Sequence, residues 1–342
     1  MYAFQTPGGE PNRHALAALA QASERYAIVA SRDIVDVRGV KLWAAGQPVS
    51  AALHQRLLDR RLQKPMEVCL MAEDGVTPFS LLADLTSFIE STEPLAACVR
   101  PWATTLLEQM RHLPLHPVVQ LILTASLATR PATLPHAVAA MALAGAMIAS
   151  LQGTPQDVRM AMLGGLLHDL GEVYIHPQYL DYGRPLDLLG HKHLVIHPRV
   201  GQMLIASLTD YPAVLARAVG EHHERLDRSG YPARLQDDEL SHLGRALAVT
   251  EVALGMTRWP DAPPRPPRAA ATARTRTART APPPRSSRPS RDRSATCGSP
   301  TRARRRARRA RTARRARRRR CSRPPACPTR TSAASRPRAG GG

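Results

Sequence analysis

The chain has 342 residues and a formal net charge of +21, but this charge is unevenly distributed. Residues 261–342 contain 26 Arg, no Lys and two acidic residues, whereas the first 260 residues contain 22 basic and 25 acidic residues. The larger part of the chain is therefore close to neutral. It lacks the basic patch of a nucleic-acid-binding surface, and we do not expect nucleic acid as its partner.

The C-terminal segment has no side chains from which a core could be built. Residues 261–342 contain no Leu, Ile, Val, Met, Phe, Tyr or Trp, so we predict that residues 259–342 form a disordered tail rich in Arg, Pro and Ala. One interpretation is a basic arm that binds phosphates. We favour out-of-frame sequence after about residue 259, because a GC-rich gene read in the wrong frame encodes Arg without Lys.

Neither cysteine spacing nor hydropathy indicates a secreted or membrane protein. The five cysteines show no spacing typical of a zinc site or a disulfide framework, which favours a reducing compartment. Residues 1–14 do not resemble a signal peptide. The most apolar run, residues 137–151, is short for a membrane span and is typical of a buried helix. We therefore expect a cytoplasmic protein without a membrane span.

Residues 1–100 are predicted to form a small mixed α/β module. A short helix is expected at 15–22, followed by a strand-rich unit at 26–44 with a turn at Arg38-Gly39. Ser50 is expected to cap a helix that carries four leucines on one face. These are Leu53, Leu57, Leu58 and Leu62. A structural or a sensory role is compatible with this module.

Residues 101–258 are predicted to form one all-helical bundle, so that the protein is mainly α. Apolar residues recur at helical spacing, and Thr154-Pro155-Gln156-Asp157 is typical of a capped helix start. The predicted helices span residues 102–112, 118–128, 136–151, 155–168, 198–208, 212–222 and 241–256.

Candidate metal ligands lie on these helices or at their ends. They are His136, His168, Asp169, His197, His222, His223 and Glu251. Imidazole and carboxylate groups together suit two divalent ions such as Fe, Mn, Co, Ni or Zn. Two such ions held a few ångströms apart activate water and stabilise the oxygens of a phosphodiester undergoing hydrolysis. The alternative for any single histidine is a surface or core residue without a ligand role.

Four motifs in this region resemble those of the HD-GYP family, a branch of the HD phosphohydrolase superfamily. The resemblance covers residues of about 130–258, with His136 and His197 lying 32 residues before and 29 residues after the HD histidine. The motifs are HDLGE at 168–172, His197-Pro198 with Gly201, His222-His223-Glu224, and Asp227 with Ser229-Gly230-Tyr231-Pro232. Their order and spacing make coincidence an inadequate explanation.

The resemblance implies an HD-type helical bundle that hydrolyses cyclic di-GMP in bacterial signal transduction, with protein partners in that signalling. It implies that His168 and Asp169 are catalytic and that the seven candidate ligands hold metal. Ala132 stands where three-metal members carry Glu, which favours two ions. Substrate-binding roles are implied for Asp227, Gly230, Tyr231 and Pro232, and Arg184 is a further candidate.

Three departures from the family pattern concern phosphate binding. Glu172 replaces the Lys of H-D-x-G-K, Tyr182 replaces a second Lys, and the downstream basic segment is absent. Glu251 also replaces an Asp among the ligands. The sequence therefore predicts a nearly complete metal site with weakened phosphate binding. A catalytically degenerate module that senses the nucleotide or acts through protein contacts is the alternative, and a nucleic-acid-binding tail is a third.

Overall fold

The computed structural model describes residues 9–181 and 186–258, and the structural statements below concern these ranges. The predicted tail at 259–342 and the candidate Arg184 lie outside them. The described part is mainly helical, with a few short strands near the N-terminus, which confirms the predicted fold class.

The N-terminal part combines short strands with helices, as predicted. Strands β1 (Ile28–Ala30) and β4 (Leu70–Ala72) pair antiparallel with Ile28 opposite Ala72, and β2 (Ile34–Val35) and β3 (Lys41–Trp43) form a hairpin across the turn at Gly39. Gly39 has φ +86°, a left-handed conformation that favours glycine. The elements are α1 (Arg13–Ala22), β1 (Ile28–Ala30), β2 (Ile34–Val35), β3 (Lys41–Trp43), α2 (Ala51–Leu57), β4 (Leu70–Ala72), α3 (Pro78–Glu90) and α4 (Pro94–Val99).

Helix α2 is shorter than its leucine spacing predicts. The helix ends at Leu57, and Asp59 adopts φ +59°, which turns the chain out of the helix. Leu62 is buried, but it reaches the core from an isolated bridge opposite Asp36. The helical spacing of these leucines therefore combines residues of a helix with one residue, Leu62, of an extended segment. Helices α3 and α4 lie in a stretch for which the sequence suggested only mixed structure.

The helical bundle follows the predictions closely. Each predicted helix is present with ends shifted by at most three residues, and Thr154 forms the expected reciprocal cap with Asp157. Helix α9 was not predicted. The helices are α5 (Ala103–Arg111), α6 (Pro117–Thr129), α7 (Thr133–Ser150), α8 (Pro155–Leu167), α9 (Leu188–Leu194), α10 (His197–Leu208), α11 (Ala213–Glu221) and α12 (His242–Arg258).

Helix α7 is the central helix of this bundle and packs against α8, α12 and α3. By length and composition it could cross a membrane, and it is the one such helix within the described ranges. However, 61% of it is buried inside the protein. This burial is typical of a core helix and agrees with the interpretation of the apolar run at 137–151.

Close backbone packing sets the positions of the helix ends that carry the candidate ligands. A Cβ atom at Gly165 would overlap the backbone of Ala140, so α8 and α7 cross in direct main-chain contact. A Cβ atom at Gly171 would likewise overlap the carbonyl oxygen of His197. Gly171 lies in the short 3-10 helix Leu170–Tyr174 that follows Asp169. The start of α10 therefore rests against this 3-10 helix.

The same 3-10 helix also contacts the N-terminal part. The Tyr174 hydroxyl donates a 2.5 Å hydrogen bond to Glu67 Oε1, and Asn12 Nδ2 donates to the Tyr174 carbonyl at 3.3 Å. Helix α1 and strand β4 pack on α6. A division of function at about residue 100 stays a prediction.

Candidate metal centre

Three buried histidines lie at helix ends, and each is oriented by a backbone carbonyl, which belongs to the same helix for His168 and His222 and to the preceding helix α9 for His197. His168 and His222 directly follow α8 and α11, and His197 begins α10. Each Nδ1 donates to the carbonyl oxygen three residues earlier. The accepting residues are Gly165 at 2.7 Å, Leu194 at 2.7 Å and Val219 at 2.6 Å. Because a carbonyl only accepts, the proton of a neutral ring is on Nδ1, and Nε2 offers its lone pair.

Asp169 lies between two groups of imidazoles. Its Oδ2 atom is 3.1 Å from His168 Nε2 and 3.5 Å from His136 Nε2. Its Oδ1 atom is 3.3 Å from His197 Nε2 and 3.6 Å from His222 Nε2. The two oxygens of one carboxylate thus face two separate pairs of nitrogens, so that Asp169 lies within reach of both pairs.

The predicted ligands form two groups. Within each group, all donor atoms lie within 4.8 Å of one another. The first group contains Asp169, His197, His222 and His223, and the second contains His136, His168 and Glu251. All seven predicted ligands therefore come together, although they derive from five helices or their ends. Each group is a set of donor atoms that could hold a metal ion, and the number of ions stays a prediction.

The spacing of the donor atoms suits a divalent ion, and one of these atoms lacks a hydrogen-bond partner among the described residues. The Nε2 atoms of His136 and His168 are 3.1 Å apart, and so are those of His197 and His222. Two nitrogens about 2.1 Å from one cation and at right angles to each other lie about 3.0 Å apart. Glu251 Oε2 is buried and makes no hydrogen bond in the described part of the chain. A cation in contact with these atoms would satisfy all of them.

The electrostatics of the site keep its acidic ligands charged. Burial raises the pKa values of Asp169 and Glu251, but the neighbouring histidines outweigh it and hold both pKa values well below the ordinary range. Burial lowers the pKa of His136, whereas Asp169 and Glu251 raise it to about 9. Burial also holds the pKa of His223 well below its usual value. Both carboxylates are therefore anionic at neutral pH, and His223 is neutral, the form that binds metal.

The ligands open onto a cavity of about 560 Å³. Its wall contains several metal ligands together with three further carboxylate or guanidinium groups and a number of apolar side chains. Described residues that line it include Arg130, Ala132, Thr133, His136, Asp169, Glu172, Leu180, Asp181, Leu194, His197, His223, Tyr231, Glu251 and Leu254. A substrate in this cavity would touch both ligand groups.

The loop after His223 forms one side of the cavity. The Tyr231 ring stacks on the His223 ring, with centroids 4.6 Å apart and an angle of 24° between the planes. Gly230 is buried, and a Cβ atom there would overlap the backbone at Arg225. Glycine is therefore required at position 230 for the chain to fold back on itself, and the resulting turn places Tyr231 beside the candidate ligand His223.

Glu224 has a structural role that the motif alone did not reveal. Its side chain is fully buried, and its two oxygens accept three backbone N–H groups from the end of the loop. The donors are Ala233 at 2.5 Å, Arg234 at 3.1 Å and Leu235 at 3.0 Å. The third residue of His222-His223-Glu224 thus fixes the loop that carries Tyr231 and belongs to neither ligand group.

The predicted substrate-binding residues are not all placed in the cavity. Tyr231 lines it, but Asp227 is exposed, accepts the backbone N–H of Ser229 at 3.0 Å and is not part of the wall. Gly230 and Pro232 shape the loop without lining the cavity. Arg184 lies outside the described residues. The substrate-binding roles of these residues stay predictions.

Arg130 is a cavity residue that the sequence analysis missed. Its Nη1 atom lies 2.7 Å from Glu172 Oε2, so the acid that replaces the family Lys is paired. The sequence predicted that this acid, in place of the family Lys, would weaken phosphate binding. The available signal was a single Arg between two strongly apolar helices, α6 and α7, but nothing in the sequence connected it to residue 172.

Comparison with known proteins identifies the same region. Residues 117–275 match the family model of the HD domain. A cyclic di-GMP phosphodiesterase of Pseudomonas aeruginosa is 33% identical over 119 residues, which cover 34% of this chain and 28% of the relative. A 3'3'-cGAMP-specific phosphodiesterase of Vibrio cholerae is 31% identical over 87 residues, which cover 25% and 19%.

A third relative is a response regulator. This cyclic di-GMP phosphodiesterase of Xanthomonas campestris is 32% identical over 113 residues, which cover 32% of this chain and 29% of the relative. The chain therefore matches less than a third of the length of each of these three proteins.

Proposed function

We propose, from the premise that this chain carries an HD-family domain, that it is a metal-dependent phosphodiesterase that hydrolyses cyclic di-GMP. The observation that carries the proposal is Asp169, whose two carboxylate oxygens face separate histidine pairs at 3.1–3.6 Å. A carboxylate shared in this way is suited to two ions, and two-ion sites are suited to phosphodiester hydrolysis. The names of the relatives supply the substrate class. A cytoplasmic location is part of the same proposal.

The residues of this chain would hold two divalent ions such as Fe or Mn in the two ligand groups. Ions in such a site supply Lewis-acid stabilisation of phosphate oxygens and a water nucleophile at neutral pH. His168, His197 and His222 keep Nε2 directed inward because their Nδ1 protons are bound to carbonyls. Asp169 joins the two groups, and the close fit of Gly171 against His197 O limits relative movement of Asp169 and His197.

The walls of the cavity orient the substrate and limit its contact with bulk water. Tyr231 is held against His223 by ring stacking, and Leu194 and Leu254 supply apolar surface. An apolar wall beside a charged centre lowers the local dielectric constant and strengthens each electrostatic contact to the phosphate. These features support a nucleotide with both apolar and anionic parts as the ligand.

A second candidate function is nucleotide sensing without turnover. The charge of the cavity wall favours it, because Asp169, Glu172, Asp181 and Glu251 contribute four carboxylates and Arg130 is the one Lys or Arg among the described lining residues. In this case the domain would bind cyclic di-GMP and signal through contacts with another protein.

One experiment separates these functions. The full chain would be purified anaerobically without chelators, its metal content measured by elemental analysis, and its turnover of cyclic di-GMP and 3'3'-cGAMP followed by chromatography. We expect about two ions per chain and metal-dependent hydrolysis of cyclic di-GMP. A variant in which the exposed His242 is changed to Ala serves as a control for the loss of an imidazole outside the site.

Each other outcome has a defined meaning. Metal-free protein that binds no added Mn²⁺ would overturn the proposal. Metal-loaded protein that binds cyclic di-GMP without hydrolysing it would replace the enzyme by the sensing function. Hydrolysis of 3'3'-cGAMP in preference to cyclic di-GMP would retain the reaction and correct the substrate.

A further inference from the structure

The backbone of Arg130 is fixed by hydrogen bonds, and its side chain lines the cavity. It lies between α6 and α7, its N–H donates to Ser126 O at 2.8 Å, and its carbonyl accepts from Thr133 N at 2.9 Å and Thr133 Oγ1 at 2.8 Å. The Ser126 and Thr133 hydroxyls are also 2.9 Å apart. Three hydrogen bonds to one residue fix the direction in which its side chain leaves the backbone.

Glu172 fixes the other end of this side chain. Its carboxylate is buried, with a side-chain exposure of 4%, and lies 2.7 Å from Arg130 Nη1, whose side chain is 27% exposed. Glu172 also lies three residues after Asp169, and its N–H donates to the Asp169 carbonyl at 2.9 Å. The Arg130–Glu172 pair is therefore connected directly to the backbone of Asp169, which would be shared by the two ligand groups.

The chemistry of the pair points to an anion. A buried carboxylate is costly unless it is paired, so the pair explains the presence of Glu172 in the wall. A guanidinium has five N–H donors in a planar fork that matches carboxylate and phosphate oxygens, so one group can bind both. Prior immobilisation by Glu172 reduces the conformational entropy that Arg130 would lose when it binds a second anion.

The geometry points to separate roles for two residues of the cavity wall: Arg130 binds a phosphate oxygen of the substrate, and Glu172 positions Arg130. This inference rests on the proposed function, because it requires an anionic substrate in the cavity of the metal ligands. It assigns to Arg130 the cationic contact that Glu172 and Tyr182 do not supply. The opposite charge at residue 172 is then a rearrangement of the phosphate site and not its loss.

A purely structural role is the competing explanation. In that case the pair would only join the α6–α7 turn to the 3-10 helix Leu170–Tyr174, and its loss would change stability and metal content without a specific effect on the nucleotide. The two explanations therefore differ in the property that changes, and equilibrium binding has to be measured beside stability.

The test compares Arg130→Gln, Arg130→Lys and Glu172→Gln with the wild-type chain. Cyclic di-GMP binding would be measured by calorimetry in the presence of EDTA and again with saturating Ca²⁺, and KM and kcat would be measured with Mn²⁺. Arg60→Gln is the matched control. Arg60 also forms an ion pair with an acid, Asp36, at 4.0 Å, but neither residue lines the cavity.

We expect Arg130→Gln to weaken cyclic di-GMP binding by about 10- to 100-fold, because it removes a charge-assisted hydrogen bond. Arg130→Lys keeps the charge without the fork and should lie between Gln and wild type. Glu172→Gln should weaken binding less than Arg130→Gln, with metal content unchanged in all three. Because Arg130→Gln takes this ion pair from the buried Glu172 carboxylate, it should also lower the thermal midpoint, whereas Arg130→Lys and Glu172→Gln should lower it less. Arg60→Gln should match the wild type.

A charge exchange adds an independent measurement. Glu172→Lys alone places two cations side by side, so it should weaken nucleotide binding although it restores the residue type of the family. The double variant Arg130→Glu with Glu172→Lys recreates an opposite pair and should bind more tightly than Glu172→Lys. This order of affinities follows from the pair and not from either residue alone.

The results that overturn the inference are distinct from those that overturn the proposed function. Arg130→Gln with wild-type affinity, or with lowered stability and metal content at unchanged affinity, would show that the pair is only structural. A wild-type chain that binds cyclic di-GMP but does not hydrolyse it would overturn the enzyme proposal, and calorimetry would still decide the role of Arg130. A wild-type chain that binds no cyclic di-GMP would overturn both.

Discussion

Two carboxylates, the half-buried Asp169 and the buried Glu67, lie near opposite ends of the 3-10 helix Leu170–Tyr174, and their pKa values are shifted in opposite directions. Asp169 precedes the helix, and burial raises its pKa, but the surrounding histidines outweigh burial and lower it well below normal. Glu67 contacts the far end through the Tyr174 hydroxyl, and burial raises its pKa despite that hydrogen bond. The partners and not the burial decide whether a buried acid is charged.

The comparison also shows what identifies a metal ligand. Glu67 Oε2 and Glu251 Oε2 are both buried without a hydrogen bond among the described residues. Glu251 Oε2 lies 3.4 Å from His168 Nε2 and 3.6 Å from His136 Nε2, whereas Glu67 is in neither ligand group. An unsatisfied oxygen becomes evidence for a cation only when other donor atoms converge on the same point.

The largest expected effect comes from the charge that the two ligand groups share. Asp169→Asn keeps the shape of the side chain but removes that charge, so we expect loss of at least one ion per chain and a decrease of about 100-fold or more in turnover. Elemental analysis and steady-state kinetics would measure both. Glu67→Gln is the matched control, since it makes the same change from carboxyl to amide at an acid outside both ligand groups and should retain both ions.

Full metal content and turnover in Asp169→Asn would remove the distinction between the two acids. Loss of metal in Glu67→Gln would also contradict this distinction, because a carboxylate outside the ligand groups would then be required for the ions.

A smaller effect is expected at Glu251, which contributes to one ligand group only. Glu251→Gln should weaken binding of one Mn²⁺ ion by about 10- to 100-fold and leave the second ion in place, because amide oxygen carries no charge. Glu251→Asp keeps the charge with a shorter side chain and should lose less affinity. Competition with a chelator of known affinity measures this difference, and equal loss in both variants would show that reach matters more than charge.

The smallest effect concerns stability at Glu67. Its pKa in the folded protein is raised above 4.5, so the folded state binds more protons than the unfolded state between pH 4.5 and that pKa. The free energy of unfolding therefore falls as pH rises through this range. Glu67→Gln mimics the protonated acid, and we expect it to be more stable than wild type by about 1–3 kcal/mol at pH 8 but not at pH 4.

Urea denaturation at several pH values measures this difference, with Glu90→Gln as a control at an exposed acid. A difference between wild type and Glu67→Gln that does not change with pH would mean that Glu67 has the same pKa in the folded and unfolded states. That result would contradict the opposite pKa shifts of Glu67 and Asp169.

The convergence of the candidate ligands could be predicted from the sequence because these residues stand at fixed places relative to helix ends. His168 and His222 end helices, His197 starts one, and their motifs contain the glycines that allow close packing. Helix ends follow from caps, prolines and apolar spacing, so the positions of these ligands follow as well.

The paired side chains could not be predicted in the same way. Arg130 and Glu172 are far apart in sequence, and Glu67 lies 107 residues from Tyr174. Neither pair follows from local spacing, and only the packing of α1, α6 and the 3-10 helix brings them together. The overlong prediction for α2 has a related cause, because Leu62 occupies the core from an extended segment that imitates helical spacing.

The main-chain contact between Gly171 and His197 has a consequence for the choice of ion. Side chains can rotate to accommodate ions of different radius, but two backbone segments already in contact cannot approach further. The approach of His197 to the segment that carries Asp169 therefore has a lower limit that is set by the main chain. Adaptation of the ligand group that contains both residues to a smaller ion would have to come from imidazole tilt, whereas a methyl group at position 171 would push the start of α10 away from Asp169.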